Sequence, residues 1–122
     1  MSSFPAIPPA RGEVWLTRLD PVAGHEQEGT RPSLIVSADL YNRGPHELVA
    51  VLPITSKGKH TRWRVPIEPP EGGLVRTSWV LTDQVRTIST TRLVRCMGTV
   101  RTSTLEQVDD RLLILLDLRL SP

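Results

Sequence analysis

Leu48-Val49-Ala50-Val51-Leu52 is an unbroken apolar run, followed at once by Pro53-Ile54-Thr55-Ser56-Lys57-Gly58. A run this short, bounded by a proline-to-glycine segment, fits a buried strand better than a helix. It reads as a central strand ending in that segment, with Thr55 where the strand opens into a turn. Upstream, Pro32-Ser33-Leu34-Ile35-Val36-Ser37 gives a second strand, and Pro32 pushes Arg31 out of the helical region toward an extended backbone. Arg31 therefore stands at a strand entrance. Earlier still, Glu13 to Asp20 carry a first strand through Val14-Trp15-Leu16-Thr17-Arg18-Leu19, closed by Asp20-Pro21. Residues 22–31 are polar, contain two glycines and follow neither period, so they form a long exposed loop. A short turn or helix is expected around Ala38 to Asn42.

Downstream, Arg62-Trp63-Arg64-Val65-Pro66-Ile67 alternates and is broken by Pro66, which suits an edge strand. Glu68 to Gly73 is a turn. Leu74 to Leu81, Val85 to Ile88 and Arg92 to Val100 continue the β pattern. The period then changes: Ser103-Thr104-Leu105-Glu106 has the form of a capping box with Ser103 as N-cap. It introduces Leu105, Val108, Leu112, Leu115 and Leu116 at helical spacing, predicting a helix over roughly 104–119. The fold class is mainly β with a C-terminal helix (α+β), a small strongly bent antiparallel sheet or barrel whose open side the helix covers.

With 122 residues, 39% of them hydrophobic, the chain suffices for one compact core and is short for two. No repeat or linker divides it, so 1–122 is expected to be a single domain behind a loose lead-in over 1–10. No window approaches the roughly 18 consecutive apolar residues of a membrane span, and Met1 to Ala10 lacks the pattern of a secretory leader. No membrane association is expected, and the expected compartment is the cytoplasm. Cys96 stands alone and reads as a small buried residue. His25, His46 and His60 lie on separate loop-like segments, which argues against a zinc site and against a two-histidine ribonuclease. Asp109 and Asp110 diverge by about 100 degrees around a helix and read as a solvated face rather than a metal pair. No metal or cofactor is expected. The net charge of +2 hides a lopsided basic set of thirteen arginines and two lysines. The planar arginine fork suits phosphate, although arginine enrichment also follows genome base composition.

His25-Glu26-Gln27-Glu28-Gly29-Thr30-Arg31-Pro32 concentrates donors, acceptors and charge beyond what a connection of its length needs. A solvated connection is the competing reading. What favours function is the segment Pro53-Ile54-Thr55-Ser56-Lys57, which brings a hydroxyl near the Arg31 guanidinium if the second and third strands are neighbours.

These residues, together with Arg11-Gly12-Glu13-Val14-Trp15 and Leu81-Thr82-Asp83-Gln84-Val85-Arg86-Thr87-Ile88, make the chain similar to the MazF/PemK-type toxins of bacterial toxin-antitoxin pairs. The resemblance implies an SH3-related, CcdB-like barrel, a homodimer, and sequence-selective cleavage of single-stranded RNA blocked by a cognate MazE-like antitoxin. It places the family's catalytic arginine on Arg31 and its strand-end threonine on Thr55. Glu26 and Gln27 fall in the RNA-contacting loop, Ser56 and Lys57 beside the threonine, and Asp83 and Gln84 in the motif near the substrate groove. PemK-like members carry an arginine two residues before that aspartate. Here the position is Leu81, so the chain sides with the MazF branch.

RNA supplies its own nucleophile when a 2′-hydroxyl attacks the adjacent phosphorus. The enzyme then needs to hold the attack in line and neutralise charge on the non-bridging oxygens. Arg31 suits that task as a forked donor, and Thr55 adds a hydroxyl bond. Arginine is a poor acid, so Arg31 is a stabiliser rather than a proton donor. Glu26 is the nearest acidic candidate for the base, with His25 beside it. The expected products are a 2′,3′-cyclic phosphate and a 5′-hydroxyl, formed without metal.

Among the tryptophans, Trp15 reads as core, whereas Trp63, between Arg62 and Arg64 on an edge strand, is the surface candidate for stacking on a base. Ile114 and Leu118 fall off the main apolar face of the final helix, which favours self-association. The antitoxin is expected to be an acidic, partly disordered chain that orders on the RNA surface. The rival from another class is a non-catalytic module on the same barrel, either a CcdB-type gyrase poison or a degenerate member that only binds. The gyrase poison's Trp-Gly-Ile chain end is not matched by Leu118-Arg119-Leu120-Ser121-Pro122.

Overall fold

The computed structural model describes residues 7–19 and 29–118. Seven strands are present among them: β1 (Glu13–Arg18), β2 (Thr30–Ile35), β3 (Leu48–Thr55), β4 (Arg64–Ile67), β5 (Ser78–Leu81), β6 (Arg86–Ser89) and β7 (Leu93–Thr99). A short helix α1 (Asp39–Asn42) follows β2, and α2 (Thr102–Leu115) follows β7. All pairings are antiparallel, in the order β4-β5-β3-β2-β1-β7 with β6 also on β3. No described pairing joins β4 to β7, so the bent sheet is an open relative of the expected barrel.

β3 has eight residues and ends at Thr55, where the sequence places the opening into a turn. One edge of β3 pairs with β2, while the other changes partner, from β6 over Leu48–Val51 to β5 at Ile54 and Thr55. Pro53, which has no N–H, falls in that changeover, where the ladder is already interrupted.

Both faces of the sheet are apolar because side chains alternate along each strand. Val14, Leu34, Leu52, Ile54, Val65, Ile67 and Val80 gather on one face, where Val108 of α2 packs over them. Ile35, Val49, Val51, Ile88 and Leu93 gather on the other with Leu19. Neighbours such as Leu34 and Ile35 are therefore both buried, which is why β2 and β3 lack polar alternation. Each such side chain contributes about 1.5–3 kcal/mol on full burial.

Several expectations change. The helix begins at Thr102 with Arg101 as N-cap, and exposed Ser103 does not cap it. Glu71, in the 3-10 turn Glu71–Gly73, does that work: its Oε2 accepts from Arg101 N at 2.9 Å and from Thr104 Oγ1 at 2.6 Å. A carboxylate suits the positive end of a helix wherever it comes from in the chain. That turn lies backbone against backbone on β7, where a Cβ at Gly73 would stand 2.1 Å from Met97 O. Cys96 is exposed on β7 rather than buried. Asp109 forms a two-pronged ion pair with Arg11, so it anchors the N-terminal segment and is not simply solvated, whereas Asp110 pairs with Arg111 at 2.6 Å. Trp15 is half-buried, its Nε1 donating to Glu13 Oε1 at 2.9 Å. On the outside of the last helical turns Leu113, Ile114, Leu116 and Leu118 are exposed, a wider apolar edge than expected. Among the described residues no helix is long and apolar enough to cross a membrane.

Candidate active site

β2 and β3 pair with Ser33 opposite Pro53, Leu34 opposite Leu52 and Ile35 opposite Val51. Beyond Ser33 and Pro53 they part. β2 stays with β1, setting Arg31 opposite Thr17, whereas β3 follows β5, setting Thr55 opposite Trp79. Continuing the β2–β3 register by two residues puts Arg31 across from Thr55. A cleft of about 320 Å³ opens in this split, and both residues line it.

Thr30, Pro32, Ile54, Ser56 and Lys57 line it from β2 and the end of β3, and Leu74 to Arg76, Ser78 and Met97 complete the lining. Arg31, Lys57 and Arg76 make the lining cationic, and among the described residues it holds no carboxylate and no imidazole. Arg31 is exposed, and its guanidinium makes no hydrogen bond or ion pair with another described residue. The Thr55 hydroxyl accepts from Lys57 N at 3.1 Å, so its own hydrogen remains available to donate. Beneath Arg31, the buried hydroxyls of Thr17 and Ser33 meet at 2.7 Å and tie β1 to β2.

Of the residues expected from sequence, Arg31, Thr55, Ser56 and Lys57 come together in the cleft. Glu26, Gln27 and His25 lie outside the described residues. Asp83 and Gln84 do not line the cleft. They sit exposed on the 3-10 turn Thr82–Gln84 between β5 and β6, at the changeover on β3. Leu81 is buried at the end of β5. Arg76 was not singled out by the sequence, because 74–81 reads as one strand. The strand begins only at Ser78, and 74–77 is an irregular connection whose nearest sequence mark is Gly72-Gly73. Cys96 is outside the cleft, and partial burial together with the nearby Glu13 carboxylate raises its pKa and keeps it a thiol.

A bent antiparallel sheet capped by one helix and split by a cleft with basic described lining is the build of a small β protein that receives an anionic partner. Residues 10–116 match the family described as PemK-like, MazF-like toxin of type II toxin-antitoxin system, and the chain belongs to that family. It is 48% identical over 79 residues to endoribonuclease PemK of Escherichia coli, a match covering 64% of this chain and 59% of that protein. To endoribonuclease MazF9 of Mycobacterium tuberculosis it is 35% identical over 113 residues, covering 88% of this chain and 96% of that one. A mycobacterial endoribonuclease solved with its cognate antitoxin superposes with a TM-score of 0.75 at 26% identity, over 93% of this chain and 99% of that one.

Proposed function

We propose that this protein is an endoribonuclease toxin that cuts single-stranded RNA in the cleft between β2 and β3. The observation that carries this reading is that Arg31 and Thr55 line one cleft at the split between β2 and β3, whose described lining includes cations and no carboxylate. The names of the relatives support the same activity. The scissile phosphate sits between Arg31 and Thr55, and the neighbouring 2′-hydroxyl attacks in line. Arg31 binds the non-bridging oxygens as a fork, and the Thr55 hydroxyl, held by Lys57 N–H, donates to the same charge. The P–O5′ bond breaks, leaving a 2′,3′-cyclic phosphate and a 5′-hydroxyl. The described residues of the cleft lining offer no carboxylate or imidazole to take the 2′-hydroxyl proton, and Glu26, which precedes Arg31 in the sequence, is the candidate base. Ser56 and Lys57 contact the strand inside the cleft. Glu26 and Gln27 contact it from the loop, and Asp83 and Gln84 meet it where it leaves.

The chain acts as one domain in the cytoplasm, without a metal or other cofactor. The exposed edge Leu113, Ile114, Leu116 and Leu118 supports a homodimer. The antitoxin is an acidic segment that orders over the basic cleft and excludes RNA. Arg31→Ala and Thr55→Val test the reading on single-stranded RNA with chelator present. The expected loss of kcat is about 10²–10³-fold for Arg31→Ala, the range for removing one charge-stabilising donor. For Thr55→Val it is about 10- to 100-fold. Circular dichroism and Tm should match the parent protein, and a 2′-deoxy residue at the cut should block cleavage. Full activity of both folded variants would remove the mechanism, and tight RNA binding by a parent protein that never cuts would leave a non-catalytic module.

A further inference from the structure

Arg64 lies outside the cleft lining, at the start of the edge strand β4, yet three contacts tie it to Thr55. Its guanidinium sits over the Trp79 ring at 6.0 Å. Its Nη1 donates to Lys57 O at 2.8 Å. Lys57 N in turn donates to Thr55 Oγ1 at 3.1 Å. Trp79 is also the residue directly opposite Thr55 on β5, so the platform under Arg64 and the hydroxyl at the end of the chain of contacts share one rung of the sheet. Next to Lys57, Gly58 has φ +94, and a Cβ there would come within 2.9 Å of both terminal guanidinium nitrogens. Glycine takes that φ without the strain a side chain would bring, and it leaves the backbone bare where Arg64 is seated.

We propose that Arg64 is a positioning residue: stacked on Trp79, it holds the Lys57 peptide so that its N–H fixes the Thr55 hydroxyl in the rotamer that faces the scissile phosphate. This rests on the role given to Thr55 above. A free serine or threonine hydroxyl turns among several orientations, and a donor fixed before the reaction stabilises developing charge without reorganising. Arg64 does not itself meet substrate: it is outside the cleft lining, and its Nη1 is committed to Lys57 O. A lysine in its place keeps a donor but loses the planar stack.

Arg64→Ala is expected to lower kcat about tenfold with KM within twofold, and Arg64→Lys to recover part of that loss. In the ¹⁵N-labelled protein the Lys57 amide is expected to exchange about tenfold faster in Arg64→Ala, and likewise in Thr55→Val. In a double-mutant cycle, adding Arg64→Ala to Thr55→Val should change kcat less than twofold, since the group Arg64 acts through is gone. Trp79→Phe, which keeps an aromatic platform, guards against a folding failure and should retain most activity. A KM rise with unchanged kcat in Arg64→Ala, full additivity in the cycle, or unchanged Lys57 exchange would overturn the proposal. Crippled Thr55→Val beside a fully active Arg64→Ala overturns this proposal alone. Fully active Thr55→Val overturns the mechanism beneath it as well.

Discussion

The two ends of β3 are built from the same backbone and do opposite things. At its start, Leu48 to Val51 pair with β6 on one side, and Val51 and Leu52 pair with β2 on the other, with Val49 and Val51 in one apolar cluster and Leu52 in the other. At its end, β2 has left, and the groups that would have faced it line a basic cleft. The closed end is where burial holds the sheet together. The open end carries side chains that solvent and an anion can reach, positioned by the rigid half of the same strand. A site on strand ends gains its precision from pairing that stops one or two residues earlier.

Substitutions that separate these two halves test the comparison, and the largest effect belongs to the closed end. Leu52→Ala removes a side chain with no exposure, and it should cost about 2–5 kcal/mol of unfolding free energy. Denaturant unfolding measures that loss, while kcat per folded molecule should stay within about twofold. A large fall in kcat at intact stability would show that the core end enters the chemistry. A smaller effect lies at the boundary. Thr17→Val leaves the fully buried Ser33 hydroxyl without its partner and should cost about 1–3 kcal/mol. Adding Ser33→Ala should restore part of that stability, because the orphaned polar group is then gone. If the double variant is less stable than Thr17→Val alone, the pair is not acting as a hydrogen bond.

The same contrast explains what the sequence could reveal. β2 and β3 were legible because burial on both faces makes continuous apolar runs, and Arg31 and Thr55 were legible because each stands where such a run begins or ends. The change of partner along β3 near Pro53 was not, since which strand meets an edge is a fact of topology that no local pattern contains. The helix start misled for a related reason: Ser103 and Glu106 satisfy a local rule, but a carboxylate about thirty residues upstream reaches the helix end first. Asp83 and Gln84 belong to the quoted motif yet sit at the changeover outside the cleft. Arg76 could not be picked out, because an irregular connection has no period to betray which way a side chain faces.

Arg76 gives the smallest effect and the sharpest view of the open end. It lines the cleft, and its guanidinium makes no hydrogen bond or ion pair with another described residue that would explain an arginine there structurally; Val75 beside it is 85% exposed. If it serves the RNA backbone, it acts as one phosphate contact without touching the reacting atoms. Each such contact on a single strand contributes about −0.7 to the slope of log affinity against log salt. Arg76→Ala should therefore raise KM a few-fold at low salt, leave kcat unchanged and make that slope shallower by about 0.7. Over a fourfold rise in salt the parent protein should lose about 2.6 times more affinity than the variant, by the same relation. Parallel salt slopes would remove Arg76 from the RNA path. A fall in kcat would instead move it to the reacting phosphate, and the open end would then hold a third charge-stabilising group in addition to Arg31 and Thr55.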